Sequence, residues 1–129
     1  MELRLPHNAR QASSERLDEV ARLTIDVVAR ELVEILGLKR TAAIGNVKDT
    51  RRVQEWISRD RQPQHHEALR TALQAARLIA DTDGPLVAKA WFTGCNQHLN
   101  LAPPILALQS DDPETFSKVV RAAFEFASR

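Results

Sequence analysis

Residues 32–63, LVEILGLKRTAAIGNVKDTRRVQEWISRDRQP, read as a short helix, a turn, a second helix and a proline stop. Leu32, Ile35 and Leu36 are apolar at helical spacing, and Gly37 ends that helix where a left-handed residue costs little. A small segment, residues 40–44, leads to Gly45 and Asn46, which tolerate positive φ and suit a tight turn. Asp49 and Thr50 are N-cap candidates for the next helix. In it Val53, Trp56 and Ile57 share one face, while Arg51, Arg52, Gln54 and Glu55 point elsewhere. This is the pattern of a helix-turn-helix, whose second helix offers its N-terminal end to the DNA major groove. Lys48, Thr50, Arg51, Arg52, Gln54 and Arg59 are the candidate DNA-facing residues, and Trp56 is the expected core anchor.

The charge distribution favours that segment. The net charge is only +1 and predicts no partner by itself. Residues 39–61, however, carry seven basic groups against three acidic ones, whereas residues 1–38 and 81–129 each sum to −2. Positive charge concentrated on the reading segment is what a phosphate-binding surface requires, although a solvated basic helix face would look the same in isolation.

The remaining composition narrows the class. A chain of 129 residues holds one domain or two small helical modules sharing a core. With four glycines and few strand-like runs, the expectation is an all-α fold. No apolar run approaches the ~20 residues a membrane span needs, and MELRLPHNARQASSE has no signal-peptide core. Cys95 is the only cysteine, so no intrachain disulfide forms and a reducing cytoplasm is the simplest location. Its position near Trp91 reads as a small buried hydrophobe.

On either side of the helix-turn-helix the chain divides readily. Residues 1–13 are polar and aperiodic, and read as a flexible arm. A long helix is expected from about Ser14, with a stripe of Leu17, Val20, Ala21, Thr24, Val27, Val28, Glu31, Leu32 and Ile35, apolar with one polar break, that packs on later helices or forms a dimer interface. After Pro63, Leu69, Ala72, Leu73, Ala76, Ile79 and Ala80 line another amphipathic helix. Adjacent His65 and His66 face different sides and lack completing ligands, so no metal site is expected. Asp81 to Pro85 marks a module boundary, giving a helix-turn-helix unit over residues 14–80 and a small helical unit over residues 85–129. In the second unit Trp91, Leu99 and Leu108 are expected core, and residues 93–102 a loop. The last helix aligns Phe116, Val119, Val120, Ala123, Phe124 and Ala127, with Phe126 off the stripe.

No nucleophile elbow, phosphate loop, dinucleotide fingerprint or metal-helix motif is present, and Cys95 and His98 have no orienting carboxylate nearby in sequence. The chain is therefore not expected to be an enzyme, and no cofactor is expected.

Two blocks carry a family resemblance. The spacing Ala42…Asn46-Val47…Arg52-Val53…Trp56…Pro63 resembles the helix-turn-helix of the Xre-type antitoxins. AWFTGCNQHLNLAPPILALQSDDPE, residues 90–114, resembles the Xre/MbcA/ParS toxin-binding domain, at Trp91, Asn96, Leu99, Pro104, Leu108 and Asp112-Pro113-Glu114. Asp60 stands where that family often has glycine, and as a residue that tolerates the left-handed conformation it is expected to make the turn. The resemblance implies an antitoxin that neutralises a RES-type, NAD-degrading toxin by covering its active-site entrance. It also implies a homo-dimer and a hetero-oligomer with the toxin that represses its own operon through operator DNA. Phe92, Asn96, Gln97, His98, Phe124, Phe126 and Arg129 are then the residues expected at the toxin. The competing readings are a plain helix-turn-helix regulator without a toxin, and an adaptor whose helix-turn-helix no longer binds DNA.

Overall fold

The computed structural model describes residues 5–129, with side chains from Ser14 onward. The fold is all-α, and no strand occurs among the described residues. Its helices are α1 (Leu5–Arg22), α2 (Ile25–Leu36), α3 (Leu38–Ile44), α4 (Thr50–Ser58), α5 (His66–Asp83), α6 (Pro85–Thr93), α7 (Pro104–Ala107) and α8 (Pro113–Ala127). Of the arm expected over residues 1–13, residues 1–4 lie outside the described residues, and from Leu5 the backbone belongs to α1. No described helix is long and apolar enough to cross a membrane.

Helix α5 is the centre of the packing. It lies against α8 most extensively, and against α2, α6 and α1. Ala68, Ala72, Ala75 and Ala76 are buried on it, and their small size lets the neighbouring helices approach closely. Leu69, Leu73 and Ile79 are completely buried, as are Val28, Leu32 and Leu36 of α2 and Val119 of α8. One apolar cluster therefore runs through helices on both sides of the Gly84 break.

The single long helix expected from Ser14 is two helices, α1 and α2, joined at Leu23 and Thr24. The cause lies far away in sequence. Arg70 of α5 donates to the Val20 and Leu23 carbonyls at 3.2 and 2.6 Å, and Gln74 donates to the Leu17 carbonyl at 3.2 Å. Arg70 thereby takes the Leu23 carbonyl just beyond the end of α1 and shares the Val20 carbonyl with the Leu23 N–H. Thr24 then takes an extended conformation, φ −71° and ψ 155°, and α2 starts in a new direction. One turn further along α5, Arg77 forks onto Glu31 of α2 at 2.7–2.9 Å and reaches Glu19 of α1 at 3.1 Å.

The segment read as residues 40–44 is itself a helix, α3, entered through Gly37 at φ +91°. A side chain would strain that conformation. In the following turn only Asn46 has positive φ, at 60°; Gly45 sits at φ −76°. Glycine is needed at 45 for space instead. A Cβ there would overlap the Trp56 indole, with Cζ3 at 2.9 Å. Trp56 is 2% exposed and rests against the turn from α4, so turn and α4 lock through one close approach.

This geometry makes two stability predictions. Trp56→Ala should cost about 3–5 kcal/mol, as deletions of large buried aromatics do. Gly45→Ala should cost about 1–3 kcal/mol by overpacking, and much less in the Trp56→Ala background, because the missing ring leaves room. Denaturant midpoints for the two single variants and the double variant test this; strictly additive costs would contradict the contact.

Candidate functional site

Helices α3 and α4 are joined by a turn over residues 45–49. Asp49 caps α4 in an extended conformation, its Oδ1 accepting from the Arg51 backbone N–H at 2.9 Å. Val53 and Trp56 point into the core, and the opposite side is left to Arg51, Arg52 and Gln54, all exposed. Lys48 is exposed just before the cap and Thr50 is half-buried. With Lys39, Ala42, Ala43, Val47 and Asp49 these two line a shallow groove between α3 and the start of α4.

The cations of this region differ in how they are held. The Arg51 guanidinium turns back onto the cap, its Nη2 2.9 Å and Nε 3.1 Å from Asp49 Oδ2. The hydrogen bonds from Arg51 hold the Asp49 carboxyl below its ordinary range, and Asp49 in turn raises the Arg51 guanidinium. Arg52 is loosely held, its Nε 4.0 Å from Glu55, which also receives Arg61 at 3.3 Å. Arg59 is directed elsewhere: its Nε lies 3.3 Å from Asp26 Oδ2 of α2. Lys48 forms no ion pair among the described residues. The exposed cationic edge is thus Lys48, Arg51 and Arg52, and Arg59 ties α4 to α2. Arg59, not Asp60, also carries the left-handed turn after α4, at φ 70°, because the helix ends at Ser58.

A second surface forms where α6, the 93–102 loop and α8 meet. Asn96 Oδ1 accepts from the His98 backbone N–H at 2.9 Å, and the Asn96 carbonyl accepts from Leu99 and Leu101 N–H groups at 3.0 and 2.9 Å. This ties residues 96–101 into a compact turn containing a 3₁₀ segment, Gln97–Leu99. Asn100 and Leu101 both have positive φ, 55° and 69°, which leaves Leu101 67% exposed. A groove of roughly 460 Å³ results, lined by Trp91, Asn96, Gln97, His98, Leu101 and Phe126, with Cys95, Ala122 and Glu125. Arg129 packs on Phe126: its guanidinium lies 3.8 Å above the Phe126 ring, donates to the Phe126 carbonyl at 2.6 Å and pairs with Asp83 at 2.9 Å.

The sequence had not sorted all of these residues correctly. Asn96, Gln97, His98 and Phe126 do share one groove. Phe92 is completely buried and offers no surface; it supports Trp91 edge-to-face, with ring centroids 5.1 Å apart. Trp91, read as core, is buried to 9% exposure yet still lines the groove. Leu99 and Leu108 are buried. Phe124 faces another side, toward Leu17, Leu78 and Val120. Cys95 is exposed rather than buried, because the helix has ended at Gly94. Leu101 was missed, since nothing local marks a leucine as left-handed. No group of three or more His, Cys, Asp or Glu side chains suited to a metal occurs among the described residues.

Comparison of the chain with protein-family models, with characterised proteins and with solved structures gave no match.

The Asp26–Arg59 tie makes a pH prediction. The Thr24 hydroxyl first, and Arg59 second, hold the Asp26 carboxyl below its ordinary range. A depressed carboxylate contributes stability that is fully present above its unfolded value, ~3.9, and is lost as pH falls through the lower folded value. Asp26→Asn should therefore destabilise at pH ~7, with a penalty that shrinks below about pH 4. Denaturant titrations of both proteins across that range test it; a penalty independent of pH would contradict the pairing.

Proposed function

We propose that the chain is an antitoxin of the Xre/MbcA/ParS type, which binds operator DNA through α3–α4 and a RES-type, NAD-degrading toxin through its C-terminal surface. The observation that carries this reading is the pairing of two separate surfaces in one small helical chain. One is an exposed cationic edge at the start of a buried-tryptophan helix. The other is a groove built from α6, the 93–102 loop and α8, sharing no residue with the first. They coincide with the two sequence blocks that resemble that family, in the same order. A groove with Trp91, Leu101 and Phe126 among polar residues has the character of a protein-docking surface, where aromatic anchors carry most of the affinity. In this reading the chain is not an enzyme and works in the cytoplasm as a homo-dimer and as a hetero-oligomer with the toxin. The second reading, a regulator without a toxin, is favoured by the cationic edge alone and leaves the groove without a use.

Two experiments test the proposal. Lys48, Arg51 and Arg52 would contact phosphates and base edges. Binding to the chain's own promoter should be salt-sensitive, and Arg51→Ala plus Arg52→Ala should weaken it by roughly 30- to 1,000-fold, taking ~1–2 kcal/mol per lost contact. A double variant that shifts promoter DNA like the wild type would overturn the DNA assignment. For the toxin, Phe126→Asp is a sharper probe than deleting residues 124–129, because Phe124 packs against the core and lines a different pocket. Co-expressed with the toxin of the neighbouring reading frame, wild type should restore growth and Phe126→Asp should not, with circular dichroism confirming its fold. Full rescue by Phe126→Asp would remove the groove from the inhibitory surface.

A further inference from the structure

Arg51 is the one cation of α4 whose guanidinium is fixed by several hydrogen bonds to a single side chain, Nε also reaching Asp49 Oδ1 at 3.3 Å. Its Nε and Nη2 are both committed to Asp49 Oδ2, at 3.1 and 2.9 Å. The same carboxylate caps the helix through the Arg51 backbone N–H. The aspartate is thereby held by the backbone, and the guanidinium by the aspartate. The opposite edge of the fork, Nη1 with the second proton of Nη2, has no partner among the described residues, and the side chain is 84% exposed. Two parallel donors remain, pointing into solvent from the first turn of the helix.

Among the groups of a DNA duplex, two chemistries compete for such a fork. A phosphate carries a full negative charge and would have to approach a site that already contains the Asp49 carboxylate. The guanine major-groove edge is uncharged and presents two adjacent acceptors, O6 and N7, whereas adenine presents one acceptor and one donor, and thymine one acceptor. The neighbouring carboxylate disfavours the phosphate and leaves guanine acceptable. It also holds the fork in one orientation, which reduces the side-chain entropy lost on contact.

We propose that Asp49 is a positioning residue that presents Arg51 to guanine in the major groove, so that the pair reads a base and does not anchor the DNA backbone. This rests on the DNA-binding reading of α3–α4 and adds to it the base that Arg51 recognises. Lys48 and Arg52, without such a partner, are left to the phosphates.

The test is selection of a randomised duplex library with full-length wild type, Asp49→Ser and Arg51→Ala. Serine keeps an N-cap acceptor but removes the charge and the fork. Circular dichroism melting checks that each variant is folded, and Asp49→Asn, which also keeps the cap, substitutes if Asp49→Ser is not. Wild type should select sites with a fixed guanine, and replacing that base with 7-deazaguanine should weaken wild-type binding by about ten-fold or more. Both variants should lose the preference, and Asp49→Ser should bind unselected DNA at least as tightly as wild type, because a repulsive charge is gone. A folded capped variant that keeps the guanine preference, or an insensitivity of wild type to 7-deazaguanine, would overturn the proposal while leaving DNA binding intact. Recovery of no DNA by the wild type would overturn both.

Discussion

The polar stripe of Arg70, Gln74 and Arg77 along α5 is the constraint on which the rest of the structure depends. It lies on the central helix, at a spacing of four and then three residues, so all three side chains face the same way. Arg70 takes carbonyls at the end of α1, Gln74 bonds the Leu17 carbonyl, and Arg77 forks onto Glu31 of α2. The chain is thereby turned between α1 and α2, and α2 becomes the floor on which α3 and α4 stand. Buried apolar surface supplies most of the stabilisation, but it is non-directional and would accept several helix arrangements. The directional contacts of the stripe select one.

From that floor α4 is aimed by a steric contact and two polar ones. Gly45 admits the Trp56 ring, Asp49 caps the helix start, and Arg59 reaches back to Asp26 at its end. A helix of this length is marginal on its own in water. Here its direction is fixed at both ends and along its buried side, leaving the exposed face free for a partner. The C-terminal part is not an independent appendage: Gln109 donates to the Ala43 carbonyl of α3 at 2.8 Å, and α8 covers α5. Packing is thus continuous between the two proposed binding surfaces.

How much of this was legible in the sequence depended on whether the cause was local. The all-α class, the position of α4, the buried Trp56 and the Asp49 cap all follow from spacing and cap chemistry within a few residues. The break between α1 and α2 was not legible, because its cause sits some 50 residues away on α5. The ion pair of Arg59 with Asp26 was not legible either, because the two lie 33 residues apart in sequence. At the groove, helical periodicity could not decide which of adjacent Trp91 and Phe92 turns inward, and the packing buries Phe92 completely. Gly45 was read as a flexible turn residue, when its role is to leave room for a ring that arrives from the next helix.

The functional account joins these parts. Charge on α4 is exposed but organised, and the far groove is apolar enough to dock a protein while rimmed by polar residues. An antitoxin needs both properties, since it must hold its toxin and report on it at the operator. Its defining claim concerns the chemistry of the partner, and the nicotinamide dinucleotide content of cells expressing the neighbouring reading frame, with and without this chain, tests it most directly. The account predicts that NAD falls steeply when that frame is expressed alone and stays at its normal level when the chain is present. NAD unchanged by the neighbouring product, or lost equally with and without the chain, would contradict it.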